Sequence, residues 1–167
     1  MHILSNQRQP TLPSWGLLWS HPLHCLSFGL GTGLSPKAPG TVGTLLGFPL
    51  YWLLLSYPLA QQWLVLSMLF LLGIWCCEFT GRALGVSDHG AIVWDEVVAM
   101  AAVLLTVPAN VYWGVAAFVL FRLFDIWKPF PIGWVDRRVK GGLGVMLDDV
   151  LAAVMAIVLL QLVKGIL

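Results

Sequence analysis

Two pairs of adjacent acids stand where apolar stretches begin. "IVWDEVVAMAAVLL" (92–105) puts Asp95 and Glu96 at the mouth of an uncharged run from Val97 to Phe121, and "GGLGVMLDDVLAA" (141–153) does the same with Asp148 and Asp149. Charge at a bilayer centre costs roughly 2.5–3.5 kcal/mol on insertion scales, so the water boundary is the tolerable place for it. Neighbours on a helix point about 100° apart, so both members of a pair can face one site only near a helix end. Two carboxylates there repel each other unless a cation offsets them. A third cluster, "FRLFDIWKPFP" (121–131), repeats Arg122, Asp125 and Lys128 at every third position. That is one polar stripe on an otherwise apolar helix, which Pro129 and Pro131 should end. Two cations and a carboxylate suit a phosphate beside a metal. Hard oxygen ligands of this kind suit Mg²⁺, usually held by one or two carboxylates plus water and substrate phosphate. Each cluster alone has a blander reading: acids favouring a helix dipole, or an internal salt-bridge ladder. Their repetition on three helices favours a shared site.

A fourth cluster, "SPKAPGTVGT" (35–44), opens another apolar stretch. Gly40 and Gly43 flank Thr41, which can cap a helix whose free N–H groups favour an anion. Lys37 can add a point charge for a phosphate, and Thr44 lies one turn on. An ordinary Pro/Gly turn would look the same. It is not a P-loop, since no Gly-Lys-Ser/Thr follows, and "GLGTG" (29–33) lacks the dinucleotide spacing and a preceding strand. "DHGAIVWDE" (88–96) adds His89, a candidate proton donor, although a lone histidine is more often structural. Cys76 and Arg82 have the spacing of cysteine-dependent phosphatases, but Glu78 between them would repel phosphate and the apolar run should keep the thiol protonated. On a helix the two would point about 120° apart. Glu78 and Arg82 read better as an i,i+4 pair. "HPLHC" (21–25) has Pro22 within it and lacks further zinc ligands.

These residues must be carried by a membrane protein. Of 167 residues 59% are apolar and only 10% charged, against roughly 45–50% and about 25% in soluble domains. Mean hydropathy is +0.85. Net charge is +1, with no basic patch, so nucleic acid is not an expected partner. Nine tryptophans suit membrane interfaces, and Cys25, Cys76 and Cys77 read as small reduced residues. The first fifteen residues are polar and Pro-broken, unlike a signal peptide. An all-α, polytopic bundle is expected, with spans near 41–57, 61–79, 92–107, 111–126 and 146–163. These are short against the roughly 17–25 residues of a full span. Five spans, or four if 92–107 re-enters, remain open. Residues 12–33 read as an interfacial segment, within an N-terminal polar and interfacial region 1–27 that precedes a membrane-embedded catalytic domain 28–167. Connections 56–61 and 107–112 are uncharged, whereas 35–40, 80–91 and 122–145 carry most of the charge. The positive-inside rule puts the charged connections in the cytoplasm.

Taken together, "FGLGTGLSPKAPGTVGTLLGFP", "DHGAIVWDE" and "FRLFDIWKPFPIGWVDRRVKGGLGVMLDD" resemble the phosphatidylglycerophosphatase A family, in order, over roughly residues 28–155. The resemblance implies a Mg²⁺-dependent lipid phosphatase of the bacterial inner membrane, converting phosphatidylglycerophosphate to phosphatidylglycerol and inorganic phosphate. The family's motif acids fall on Asp88, Asp95, Glu96, Asp125, Asp136, Asp148 and Asp149, and its basic residues on Lys37, Arg122, Lys128 and Arg137. The roles assigned to them are expectations of the residues' own chemistry. A subset of Asp95, Glu96, Asp148 and Asp149 would hold Mg²⁺, with Asp125 a further candidate. Lys37, Thr41, Thr44, Arg122, Lys128 and Arg137 would bind substrate. An uncoordinated acid among Asp95, Glu96, Asp125 and Asp149 would be the general base, and His89 or a water would protonate the leaving oxygen. Oligomeric state is left open. An ion- or proton-coupled transporter is the alternative, disfavoured because transport sites lie near the midplane, often within repeats. A structural membrane subunit is the third reading, and it would tolerate neutralisation of Asp95.

Overall fold

The computed structural model describes residues 11–166. The first ten residues of the expected N-terminal region, and Leu167, lie outside them. Eight α-helices follow in order: α1 (Trp15–Ser20), α2 (Pro22–Ser27), α3 (Pro39–Leu54), α4 (Leu59–Leu84), α5 (Trp94–Leu104), α6 (Val111–Trp127), α7 (Ile132–Arg138) and α8 (Gly141–Ile166). Between α2 and α3 lies a 3-10 segment, Gly29–Leu34, and no strand forms among the described residues. Local signals set the ends. Ser14 caps α1 and Asn110 caps α6, each side chain accepting from a backbone N–H three residues on. Pro22 and Pro39 occupy first-turn positions, and Gly85, at φ 74°, closes α4.

At the centre of the bundle stands α5, in which every residue except Glu96 and Ala102 is buried. It contacts α3, α4, α6 and α8. Small residues make the closest approach, as is usual between helices in lipid. A Cβ on Gly43 would lie 2.6 Å from Cβ of Val93, and one on Gly47 2.7 Å from Cβ of Met100, so α3 lies directly on α5. Across the bundle, a Cβ on Gly142 would strike the carbonyl of Ile74, which seats α8 on α4. Trp94 ties α5 to α4 by donating its indole N–H to the carbonyl of Leu69 (3.2 Å).

All five expected spans coincide with helices, but among the described residues only α4 and α8, each 26 residues, are both long and apolar enough to cross a membrane. The sequence predicts four to five short spans, and among the described residues two of them are helices long enough to cross on their own. At 1.5 Å per residue α5 is roughly 16 Å long, against about 30 Å of hydrocarbon. Both long helices also run past their expected ends: α4 continues to Leu84 and α8 begins at Gly141. Charges near those ends are paired within the protein, Glu78 with Arg82 (2.7 Å) and Asp148 with Lys128 (2.6 Å), so they need not stop a helix. Helix α7 falls in a stretch read only as a charged connection. Leu64, Met68, Leu71 and Trp75 of α4 are each more than half exposed, an apolar face of the kind that meets lipid.

The N-terminal segment is built into the bundle. Leu18 and Phe28 have no exposed surface, α2 packs on α4, and Val93 N–H donates to the Ser27 carbonyl (3.0 Å). His24 Nδ1 and Thr80 Oγ1 share a buried hydrogen bond of 2.9 Å. Trp15 and Trp19 point outward.

Candidate active site

Five stretches of chain meet at one end of the bundle around a cavity of 260 Å³. The start of α3 supplies Pro39 and Gly40, and the loop before α5 supplies Asp88 and Gly90. Asp95 and Glu96 come from the first turn of α5, Asp148 and Asp149 from α8, and Arg122, Asp125 and Lys128 from the end of α6. Gly40 leaves room here for the Glu96 carboxylate, which a Cβ would displace. Helices α3, α5 and α8 begin at this end and α4 and α6 finish there, so first-turn N–H groups and charged ends gather on one side.

Asp95, Asp148 and Asp149 are all buried, and each offers a carboxylate oxygen within 4.8 Å of the other two. Asp95 Oδ1 and Asp149 Oδ2 are buried with no hydrogen-bond partner among the described residues. An unpartnered buried carboxylate oxygen is costly, and three acids so close cannot all ionise without a counter-charge. Hard oxygens, unmet acceptors and mutual proximity together fit a magnesium ion. A second trio, Asp88, Asp136 and Asp148, is equally close, but Lys128 Nζ already donates to Asp136 (2.8 Å) and Asp148 (2.6 Å).

Two cations complete the site. Arg122 donates through Nη1 to Glu96 Oε1 (2.8 Å), to Asp125 Oδ2 and, more weakly, to Thr44 Oγ1 (3.4 Å). All three bonds use Nη1, and Nε is buried without a partner among the described residues. The guanidinium thus keeps donors for a ligand. Lys128 caps α6 in the left-handed region, at φ 46°, a costly conformation for a residue with a side chain. The reversal turns its stem back to Asp136 and Asp148. Burial disfavours its charge, but the hydrogen bonds and charges of those two acids outweigh that and raise its pKa.

The expected site residues are brought together unevenly. Asp95, Glu96, Asp125, Asp148, Asp149, Arg122 and Lys128 share the cavity. Glu96, expected among the metal ligands, lies outside the close trio and is held by Arg122 instead. Thr44 is buried, donating to the Gly40 carbonyl (2.8 Å) and touching Glu96 and Arg122. Thr41, expected as the cap of α3, sits inside its first turn, and the cap position is Ala38 at φ 46°. Lys37 and Arg137 are exposed and do not line the cavity. His89 lines a separate, adjoining cavity. Cys76 is buried while Arg82 is bound by Glu78, and neither belongs to the site.

The sequence pairs Glu78 with Arg82, as found, but gives no direct sign of the glutamate's second role. Glu78 accepts from Gly142 N–H (2.8 Å) through one oxygen while Arg82 Nε holds the other (2.7 Å). A side chain of α4 thereby satisfies the N-terminus of α8, nearly two turns before Asp148. The available signal was negative: "KGGLG" (140–144) opens a helix with no Ser, Thr, Asp or Asn to cap it, so its acceptor must come from elsewhere.

A lipid-facing helical bundle with one end closed around buried acids and phosphate-type cations defines a membrane-embedded enzyme of phosphate chemistry. The chain belongs to the phosphatidylglycerophosphatase A family, whose model matches residues 25–164. It is 44% identical to phosphatidylglycerophosphatase A of Escherichia coli (strain K12) over 84% of this chain and 82% of that protein. It is 47% identical to the Haemophilus influenzae protein of the same name, over 83% and 86%. A Bacteroides thetaiotaomicron protein described as a putative phosphatidylinositol-3-phosphatase is 39% identical, over 81% and 89%. No solved structure matches the chain.

Proposed function

We propose that this protein removes the terminal phosphate of phosphatidylglycerophosphate, yielding phosphatidylglycerol and inorganic phosphate, with Mg²⁺ held by Asp95, Asp148 and Asp149. Membership of the phosphatidylglycerophosphatase A family supports the reaction. The observation that carries the metal is the buried trio with its two unpartnered oxygens. When bound, the ion would neutralise phosphate charge and lower the pKa of the attacking water. Arg122, through its spare donors, and Lys128 would hold the phosphate oxygens. The Gly40 and Thr41 N–H groups, free at the start of α3, favour the same anion. Glu96 and Asp125 lie beside the trio and outside it, so either can take the proton of the attacking water. The water oxygen bonds to phosphorus as the ester bond breaks, and the leaving glycerol oxygen takes up a proton.

The protein would sit in a bacterial inner membrane and cross it several times, with α3 and α6 joining α4 and α8 around the short α5. The charged end would face the cytoplasm, a reading supported by the positive-inside bias of Lys and Arg. There the lipid phosphate lies at the depth of the acids while the acyl chains remain in the bilayer. The test is phosphate release from phosphatidylglycerophosphate by purified protein in mixed micelles, with Mg²⁺ and then with a chelator. Asp95→Asn and Asp149→Asn should each abolish release while keeping the helical circular dichroism of the parent. Full activity in both variants would remove the metal site from the mechanism.

A further inference from the structure

A second cavity, of 370 Å³, adjoins the acid cavity, and Pro39 and Gly90 form part of both walls. Its character differs. The rest of its wall includes Trp15, Gly33, Ser35 and His89, and it contains no carboxylate. His89 is half-buried, and its Nδ1 accepts from the Ala91 N–H (3.1 Å). With Nδ1 accepting, the neutral tautomer carries its proton on Nε2, a donor with no partner among the described residues. Lys37 lies in the loop between Ser35 and Pro39, both of which line this cavity. Trp15 forms the outer wall and is 62% exposed. Its ring is seated over Gly31, where a Cβ would come within 3.0 Å of it and where φ is +105°. Trp15 also lies ahead of the family-matched residues 25–164.

We propose that this second cavity holds the phosphodiester and glycerol of the lipid headgroup, the part that leaves as phosphatidylglycerol. The idea rests on the proposed function and adds where the alcohol side binds. A diester carries one negative charge. A wall with an imidazole N–H, a lysine at its rim and no carboxylate suits it, whereas the acid cavity alone would repel it without a metal. The two cavities share a wall, as the two phosphates of the substrate share a glycerol. Trp15 presents an amphipathic ring at the outer edge, the chemistry favoured where headgroup meets acyl chain. His89 is then a substrate-positioning residue on the diester.

The two products separate the two cavities. Inhibition of phosphatidylglycerophosphate hydrolysis is measured with phosphatidylglycerol and, separately, with inorganic phosphate, on full-length protein in mixed micelles. The variants are His89→Asn and Trp15→Ala. Asparagine can still accept from the Ala91 N–H as an Asx turn but is too short to offer the donor that Nε2 supplies. The inhibition constant for phosphatidylglycerol should rise about tenfold in each, as for one lost bond to a charged group or one lost aromatic contact. That for phosphate should stay at the wild-type value. The subsite is refuted if both constants move together, if neither moves, or if phosphatidylglycerol fails to inhibit the wild type. A wild-type protein that releases no phosphate from the lipid would instead overturn the proposed function, and this subsite with it.

Discussion

Replacing Arg122 should separate what the site needs to fold from what it needs to bind phosphate. The Arg122, Glu96 and Asp125 side chains are 14%, 12% and 13% exposed. Arg122→Ala leaves two nearly buried acids beside three more, with no cation on either. Breaking a buried pair from one side costs about 3–5 kcal/mol. For a chain of this size each kcal/mol shifts the melting temperature by about 2–4 °C, so the loss should be roughly 6–20 °C. Arg122→Lys restores one positive charge and most of that stability. A single ammonium cannot hold Glu96 and Asp125 and still present a planar fork to a phosphate. Its kcat/KM should therefore fall about a hundredfold, the scale of losing one donor to a developing charge. Intrinsic tryptophan fluorescence during heating reads the first effect, and phosphate release from the lipid reads the second. An Arg122→Ala protein melting with the wild type would refute the electrostatic account. An Arg122→Lys protein with wild-type kcat/KM would refute the phosphate role.

Three further outcomes follow from other parts of the molecule. Gly142→Ala drives a Cβ into the Ile74 carbonyl, and overpacking of this kind costs about 1–3 kcal/mol; the melt should drop and activity fall with it, since α8 carries Asp148 and Asp149. Magnesium at a hundred times its dissociation constant should stabilise the wild type by about 2.7 kcal/mol, and Asp149→Asn should abolish that shift in the same thermal melt. His24 is held below its usual pKa of 6.5, first by burial and then by the neighbouring charge of His21. The unfolded chain then binds the extra proton more readily, so stability is retained above about pH 6.5 and is lost as pH falls; in melts from pH 8 to pH 5, His24→Asn should lose less than the wild type.

Much of the site was legible in sequence because charge is scarce in this chain. In a stretch such as 92–121, an acid pair at an apolar boundary stands out by its cost, and the same holds for Asp148 and Asp149 and for the Arg122, Asp125 and Lys128 stripe. Pairing was less legible. Adjacent Asp95 and Glu96 looked alike, yet their side chains point about 100° apart. One reaches Asp148 and Asp149, and the other reaches Arg122. The caps failed for a similar reason: Thr41 has the right type for a cap, but Ala38 takes the position, and α8 is capped by Glu78 from another helix. His89 belonged to the right motif and lies in the next cavity.

Composition and periodicity alone determined that this is an apolar helical protein with its charges collected at one end. Those properties follow from transfer energies and from helix geometry, which act residue by residue. Only tertiary structure decided that α5 is a short, buried central helix, which three acids share a ligand, and which acids belong to arginine and lysine. These depend on distances between segments up to a hundred residues apart, set by where Gly43, Gly47 and Gly142 let backbones approach. Such distances arise from close packing between helices, and no single helix encodes them.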